Sequence, residues 1–140
     1  QTAYWSAIVK DGRWIIWGAL ALAVVTSFIA SPLINFFYGE VYAASASVLV
    51  VSIWAVPFVY LGAIASKMYV AESKQSLVFW RSCWGLLINV ILNFWLIPLY
   101  GAMGAAIATL VSQAAVGVVF NFFRVVPGVL RVQVRMVLGC

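Results

Sequence analysis

From Trp14 to Phe37 the chain runs for 24 residues without a charged side chain, and it does so again for 24 residues from Ala43 to Ser66. As a helix rising 1.5 Å per residue, each run reaches about 36 Å, enough to cross a hydrocarbon layer of about 30 Å with some tilt. The run Leu77 to Leu99 carries one charge, Arg81, and the run Ala102 to Phe123 carries none. With 66% hydrophobic and only 8% charged residues among 140, the chain lacks the polar surface that a water-soluble domain of this size presents. The expected fold class is all-α: an integral membrane bundle of four transmembrane helices forming two hairpins. The spans fall at about 14–37, 43–66, 78–98 and 102–123, after a lead-in over 1–13 and before a basic tail over 124–140.

The corners of these hairpins are written in turn residues and aromatics. The residue before a proline is pushed out of the α region, so Pro98 predicts that the third helix stops near Ile97, with Tyr100-Gly101 supplying the turn. Beyond it, Gly101 and Ala105 share one helical face, and Gly104, Ala108 and Ser112 share another, where backbones can approach closely. Pro57 predicts a kink in the second helix. Trp14 and Trp17 open the first span and Phe36, Phe37 and Tyr38 close it, as interfacial aromatics do. In the lead-in, Trp5, Ile8 and Val9 mark a short interfacial helix that ends at Lys10-Asp11-Gly12-Arg13. In the tail, Leu130 to Leu138 alternate arginine and glutamine with valine, which leaves a short strand and an interfacial segment both open. The order Leu33-Ile34, Tyr38-Gly39, Ala43-Ala44 and Ala46 recurs as Leu96-Ile97, Tyr100-Gly101, Ala105-Ala106 and Ala108. A parallel repeat and a chance match between alanine-rich helices both account for this echo. Gln1 stands where a precursor has methionine, and no signal-peptide pattern follows, so the sequence reads as a fragment of a longer protein.

Basic residues orient the bundle. Lys10 and Arg13 lie beside the lead-in, Lys67, Lys74 and Arg81 beside the middle connection, and Arg124, Arg131 and Arg135 in the tail, whereas the Gly39 and Gly101 turns have none. By the positive-inside rule the lead-in, middle connection and C-terminus are cytoplasmic. The net charge of +5 is scattered between apolar runs and forms no basic face with stacking aromatics, which argues against a nucleic-acid partner.

The inventory of reactive groups is short. There is no histidine, Cys83 and Cys140 are far apart, and Asp11, Glu40 and Glu72 all lie in connections, so no metal cluster, carboxylate pair or activated nucleophile is visible. No catalytic residue, metal site or cofactor is expected, and the chain does not read as an enzyme. What remains is polar and uncharged. Gly85, Asn89 and Asn93, spaced by four, fall within about 80° of one another on a helix and form a stripe that must face protein or water. Asn89, Asn93 and Gln113 are the candidate substrate-binding residues, with hydrogen bonding across to neighbouring helices as the competing role. Ser112, Asn121, Asn35, Ser45, Ser47 and Ser52 share that ambiguity. Arg81, one turn inside the third span, is expected to snorkel to the headgroups.

Taken in order, Pro32-Leu33-Ile34, Tyr38-Gly39, Tyr42-Ala43-Ala44, Asn89, Asn93, Leu96-Ile97-Pro98-Leu99-Tyr100-Gly101 and Gly104-Ala105-Ala106 resemble the C-terminal part of bacterial polysaccharide exporters. These are the O-antigen flippases of the multidrug/oligosaccharidyl-lipid/polysaccharide superfamily, and the likeness runs from about Trp14 to Phe123. The resemblance implies the last four helices of a bundle of about twelve to fourteen. Such a bundle moves undecaprenyl-pyrophosphate-linked oligosaccharide across the bacterial inner membrane by alternating access, in polysaccharide and lipopolysaccharide biosynthesis. Implied partners are membrane lipid, that lipid-linked oligosaccharide and the N-terminal helices of the same protein. The family's charged cavity residues have no counterpart deep in these spans. Other branches of the superfamily (a multidrug antiporter or a lipid II flippase), a membrane polymerase or ligase, and a non-transporting assembly subunit stand as alternatives.

Overall fold

The computed structural model describes residues 2–120 and 129–138. Its elements are α1 (Thr2–Tyr38), a single 3-10 turn (Glu40–Tyr42), α2 (Ala43–Ile53), α3 (Ala55–Ala71), α4 (Gln75–Tyr100), α5 (Ala102–Ala114) with a π turn at its end (Ala115–Val119), and α6 (Val129–Leu138). There is no strand among the described residues, and the all-α expectation holds. Four stretches are long and apolar enough to cross a membrane: Lys10–Tyr38, Glu40–Ala71, Gln75–Tyr100 and Ala102–Val119.

Several boundaries differ from the sequence expectation, each for a local reason. The lead-in is not a separate helix: α1 is continuous over 37 residues, about 55 Å, longer than a hydrocarbon layer, and carries Lys10, Asp11 and Arg13 without a break. The third helix does not stop at Ile97. Pro98 sits in the last turn of α4, where its missing N–H removes only one bond, and the helix ends three residues later at Gly101. Gly101 has φ 57° and Gly39 has φ 79°, and each donates its N–H to the carbonyl four residues back, to Ile97 at 2.8 Å and to Asn35 at 3.1 Å. The two corners of the sequence echo are thus built by the same backbone device, after which one continues as a 3-10 turn and the other directly as α5.

The kink expected at Pro57 appears as a one-residue break at Trp54, which keeps helical φ and ψ. α2 ends at Ile53, and Pro57 occupies the first turn of α3, where the absent N–H costs least. At the break, the Trp54 indole Nε1 donates to Ser27 Oγ at 3.2 Å, and Ser27 Oγ in turn donates to the Ala23 carbonyl at 2.7 Å, tying the joint to α1. Over 129–138 the tail is the helix α6 and not a strand. Its alternating valines conceal a helical face: Val129 and Gln133 are buried and Val132 is half-buried, at spacings of three and one.

The α2–α3 arm lies between α1 and α5, α4 packs chiefly on α5, and α6 docks on α1 and α3. The buried core gathers Ile16, Leu61, Ile64, Ala65, Met68, Tyr69 and Val129. The large aromatic and aliphatic side chains of α4 face outward, Phe79, Trp80, Trp84, Phe94 and Trp95 among them, as expected of surface that meets lipid tails.

Candidate functional site: a polar cleft between α3, α4 and α5

Small residues set the spacing of the helices that frame the site. On α5, Gly104, Ala108 and Ser112 are all buried, as the small-residue ladder predicts, whereas Gly101 is exposed and Ala105 only half-buried. A Cβ on Gly104 would overlap the Leu96 carbonyl, and one on Gly85 would overlap the Val116 side chain. α4 therefore lies directly against α5. A Cβ on Gly117 would come within 2.6 Å of the Phe58 carbonyl oxygen, so α3 also crosses the π turn backbone to backbone.

Between these crossings a cleft of about 520 Å³ stays open. That volume lies within the range of about 300–1,000 Å³ usual for small-molecule sites. α3 contributes Gly62 and Ala63, α4 contributes Arg81, Ser82 and Asn89, and α5 contributes Thr109, Ser112 and Gln113. Asn89 and Gln113, two of the candidate residues, line it together. Asn93, the third, lies one turn further along α4 outside the lining and donates from Nδ2 to Asn89 Oδ1 at 2.9 Å. Asn89 Nδ2 donates to Ser112 Oγ at 3.1 Å, and Ser112 Oγ to the Thr109 carbonyl at 3.0 Å. Asn89 therefore bridges α4 to α5 and borders the cleft at once. The buried Asn93 Oδ1 has no hydrogen-bond partner among the described residues.

Arg81 does not extend outward to the headgroups as expected. It is 4% exposed, and its Nη2 donates to the Gly62 carbonyl at 2.7 Å and to Ser66 Oγ, both on α3, with the guanidinium 5.9 Å from the Tyr69 ring centre. The partners lie on another helix, which is why α4's own pattern gave only its depth. One signal was available: Arg81 stands four residues before Gly85, so the stripe of Gly85, Asn89 and Asn93 extends back to it.

Gln133 is a second group that sequence reasoning passed over. It is buried, and its Nε2 donates to the Leu61 carbonyl at 3.2 Å and to the Gly117 carbonyl at 3.1 Å, latching α6 behind the α3–α5 crossing. Of the remaining polar candidates, Asn35, Ser45, Ser47 and Ser52 are exposed, and Ser47 Oγ donates to its own helix at the Ala44 carbonyl, 2.7 Å away. Asn121 lies outside the described residues. A smaller cleft of about 290 Å³ is lined by Leu77, Trp80, Trp84 and Phe120.

The larger cleft is thus bordered by amide and hydroxyl groups, which donate and accept hydrogen bonds, and by one guanidinium, which only donates. Among the described residues its lining includes no carboxylate, imidazole or thiol, and Val59, Leu86 and Val116 add apolar surface. Such a lining can hydrogen-bond hydroxyl groups and pair with anionic ones. No family model, curated protein or solved structure matches this chain.

Proposed function

We propose that the chain is the C-terminal four-helix part of a lipid-linked oligosaccharide flippase, and that the cleft between α3, α4 and α5 forms part of the path taken by the sugar. The observation that carries this reading is the clustering of Asn89, Ser112, Thr109 and Gln113 on one cleft within spans that are largely apolar. Amides and hydroxyls facing a cavity in a membrane bundle bind sugar hydroxyls without the cost of burying charge. The order of the hairpin motifs adds the family resemblance, and the count of basic residues orients both ends of the chain to the cytoplasm, with the Gly39 and Gly101 turns outside. On this reading the protein resides in the bacterial inner membrane and catalyses no covalent step. The sugar and the coupling ion are properties of the longer protein.

The test uses that full-length protein. Replacing Asn89 and Gln113 together by leucine removes the amides while keeping apolar volume. Surface polysaccharide is expected to fall at least several-fold with membrane levels of the protein unchanged, measured on polysaccharide ladders from a deletion strain carrying the variant. A deletion strain that keeps its polysaccharide and becomes drug-sensitive or lyses instead would place the chain in another branch of the superfamily.

A further inference from the structure

Arg81 is a buried cation whose bonding is incomplete. Its Nη2 is used by the Gly62 carbonyl and Ser66 Oγ, but Nε and Nη1 are buried with no hydrogen-bond partner among the described residues. A guanidinium stays charged at any physiological pH, and in a low-dielectric site that charge needs an anion or a full set of acceptors. The chain has three acidic side chains to offer. Glu72 pairs with Lys74 at 3.4 Å, and Asp11 and Glu40 are exposed, with no ion pair to Arg81 among the described residues. The Tyr69 ring face contributes only a weak attraction.

Depth and access define what can complete the site. Arg81 is six residues into α4, about 9 Å along its axis, and the 26 residues of α4 exceed a hydrocarbon layer of about 30 Å by about 9 Å. With that excess shared between the two ends, the Arg81 backbone lies only about 4–5 Å beneath the polar boundary, on the side rich in lysine and arginine. The guanidinium itself is held inward, level with Gly62 and Ser66 of α3. The cleft reaching Arg81 is bordered on α3 by exposed Val59 and Ala63 and on α4 by exposed Ser82 and Leu86, so it opens on the flank of the bundle. Lys67, at the same end of α3, is exposed.

We infer that the Arg81 end of this cleft binds the phosphate of an anionic phospholipid headgroup, admitted sideways between α3 and α4 from the leaflet on the basic side. Phosphate oxygens are acceptors without donors and match the unused guanidinium N–H groups, while the lipid tails remain in the bilayer alongside the exposed α3 and α4 residues. The site shares its cleft with the proposed sugar path but does not rest on that reading: Arg81 holds the lipid whether or not the protein moves a sugar.

The test is native mass spectrometry and thermal unfolding of the purified protein in neutral maltoside micelles, titrated with dioleoylphosphatidylglycerol, dioleoylphosphatidylcholine or inorganic phosphate. One phosphatidylglycerol is expected to stay bound per chain and to raise the Tm, with phosphatidylcholine and inorganic phosphate giving little. Arg81→Gln is expected to weaken that binding roughly ten-fold or more, and Lys67→Gln to leave it in place. Ala63→Trp, which narrows the mouth and keeps Arg81 and its α3 bonds, is expected to abolish it, and it carries the test if Arg81→Gln fails to fold. Equal phosphatidylglycerol binding in Arg81→Gln or in Ala63→Trp overturns the site. A Tm rise with inorganic phosphate equal to that with phosphatidylglycerol also overturns it, by assigning Arg81 to a free anion. Rescue of Arg81→Glu by exchanging an acidic residue for a basic one elsewhere in the full-length protein does so too, by assigning Arg81 to an ion pair between helices.

Discussion

Gly85 and Gly117 both permit close helix crossings, but they approach different things. A methyl at Gly85 meets the Val116 side chain, which can be shortened, whereas a methyl at Gly117 meets the Phe58 carbonyl, which cannot. Overpacking of this kind costs about 1–3 kcal/mol. Gly85→Ala is expected to lower thermal stability in micelles by that amount and to be largely restored by Val116→Ala. Gly117→Ala is expected to cost at least as much, with no restoration by truncating Phe58. Residue type and spacing made part of this legible: the ladder Gly104, Ala108 and Ser112 announces a face built for close approach. The role of Arg81 was not legible to the same degree. Its depth in α4 follows from counting, but its direction is set by the Gly62 carbonyl and Ser66 on α3, and a pattern along one helix carries no record of acceptors on its neighbour.

At the scale of elements, composition decides where helices lie and single backbone groups decide where they end. In uncharged runs of spanning length, helix satisfies every backbone group within the segment itself, so four spans could be read directly. The ends moved because Pro98 costs one bond when placed in a last turn and because α1 runs unbroken through Lys10 to Arg13. α6 shows the opposite case. Valine alternating with arginine and glutamine suggests a strand by period, yet the same letters bury Val129 and Gln133 on one helical face once Gln133 has carbonyls to bind. Gln133→Leu removes both donors while keeping an apolar side chain, and a lost buried hydrogen bond costs about 1–3 kcal/mol. The expected result is faster backbone hydrogen exchange across 129–138 with the exchange of α3 and α5 little changed, read by mass spectrometry of the micelle-bound protein.

For the whole molecule, the sequence echo gains physical content from Gly39 and Gly101, which share positive φ and the same N–H donation four residues back. The lateral order, with the α2–α3 arm between α1 and α5 and with α4 outermost, was not legible, because it depends on which small faces meet rather than on which residues are apolar. That order is what turns the stripe on α4 into one wall of a cleft and places Gln113 on the wall beside it. The cleft is the centre of the functional reading, and its contact with water can be measured. In the full-length protein with its native cysteines, Cys83 and Cys140 included, replaced by serine, Asn89→Cys and Gln113→Cys are each exposed to a small water-soluble thiol reagent in intact membranes, with Val90→Cys on the outward face of α4 as the reference for lipid-facing surface. The account predicts that positions 89 and 113 react many times faster than position 90. Protection of both, at the slow rate of position 90, would leave Asn89 and Gln113 as packing residues and contradict it.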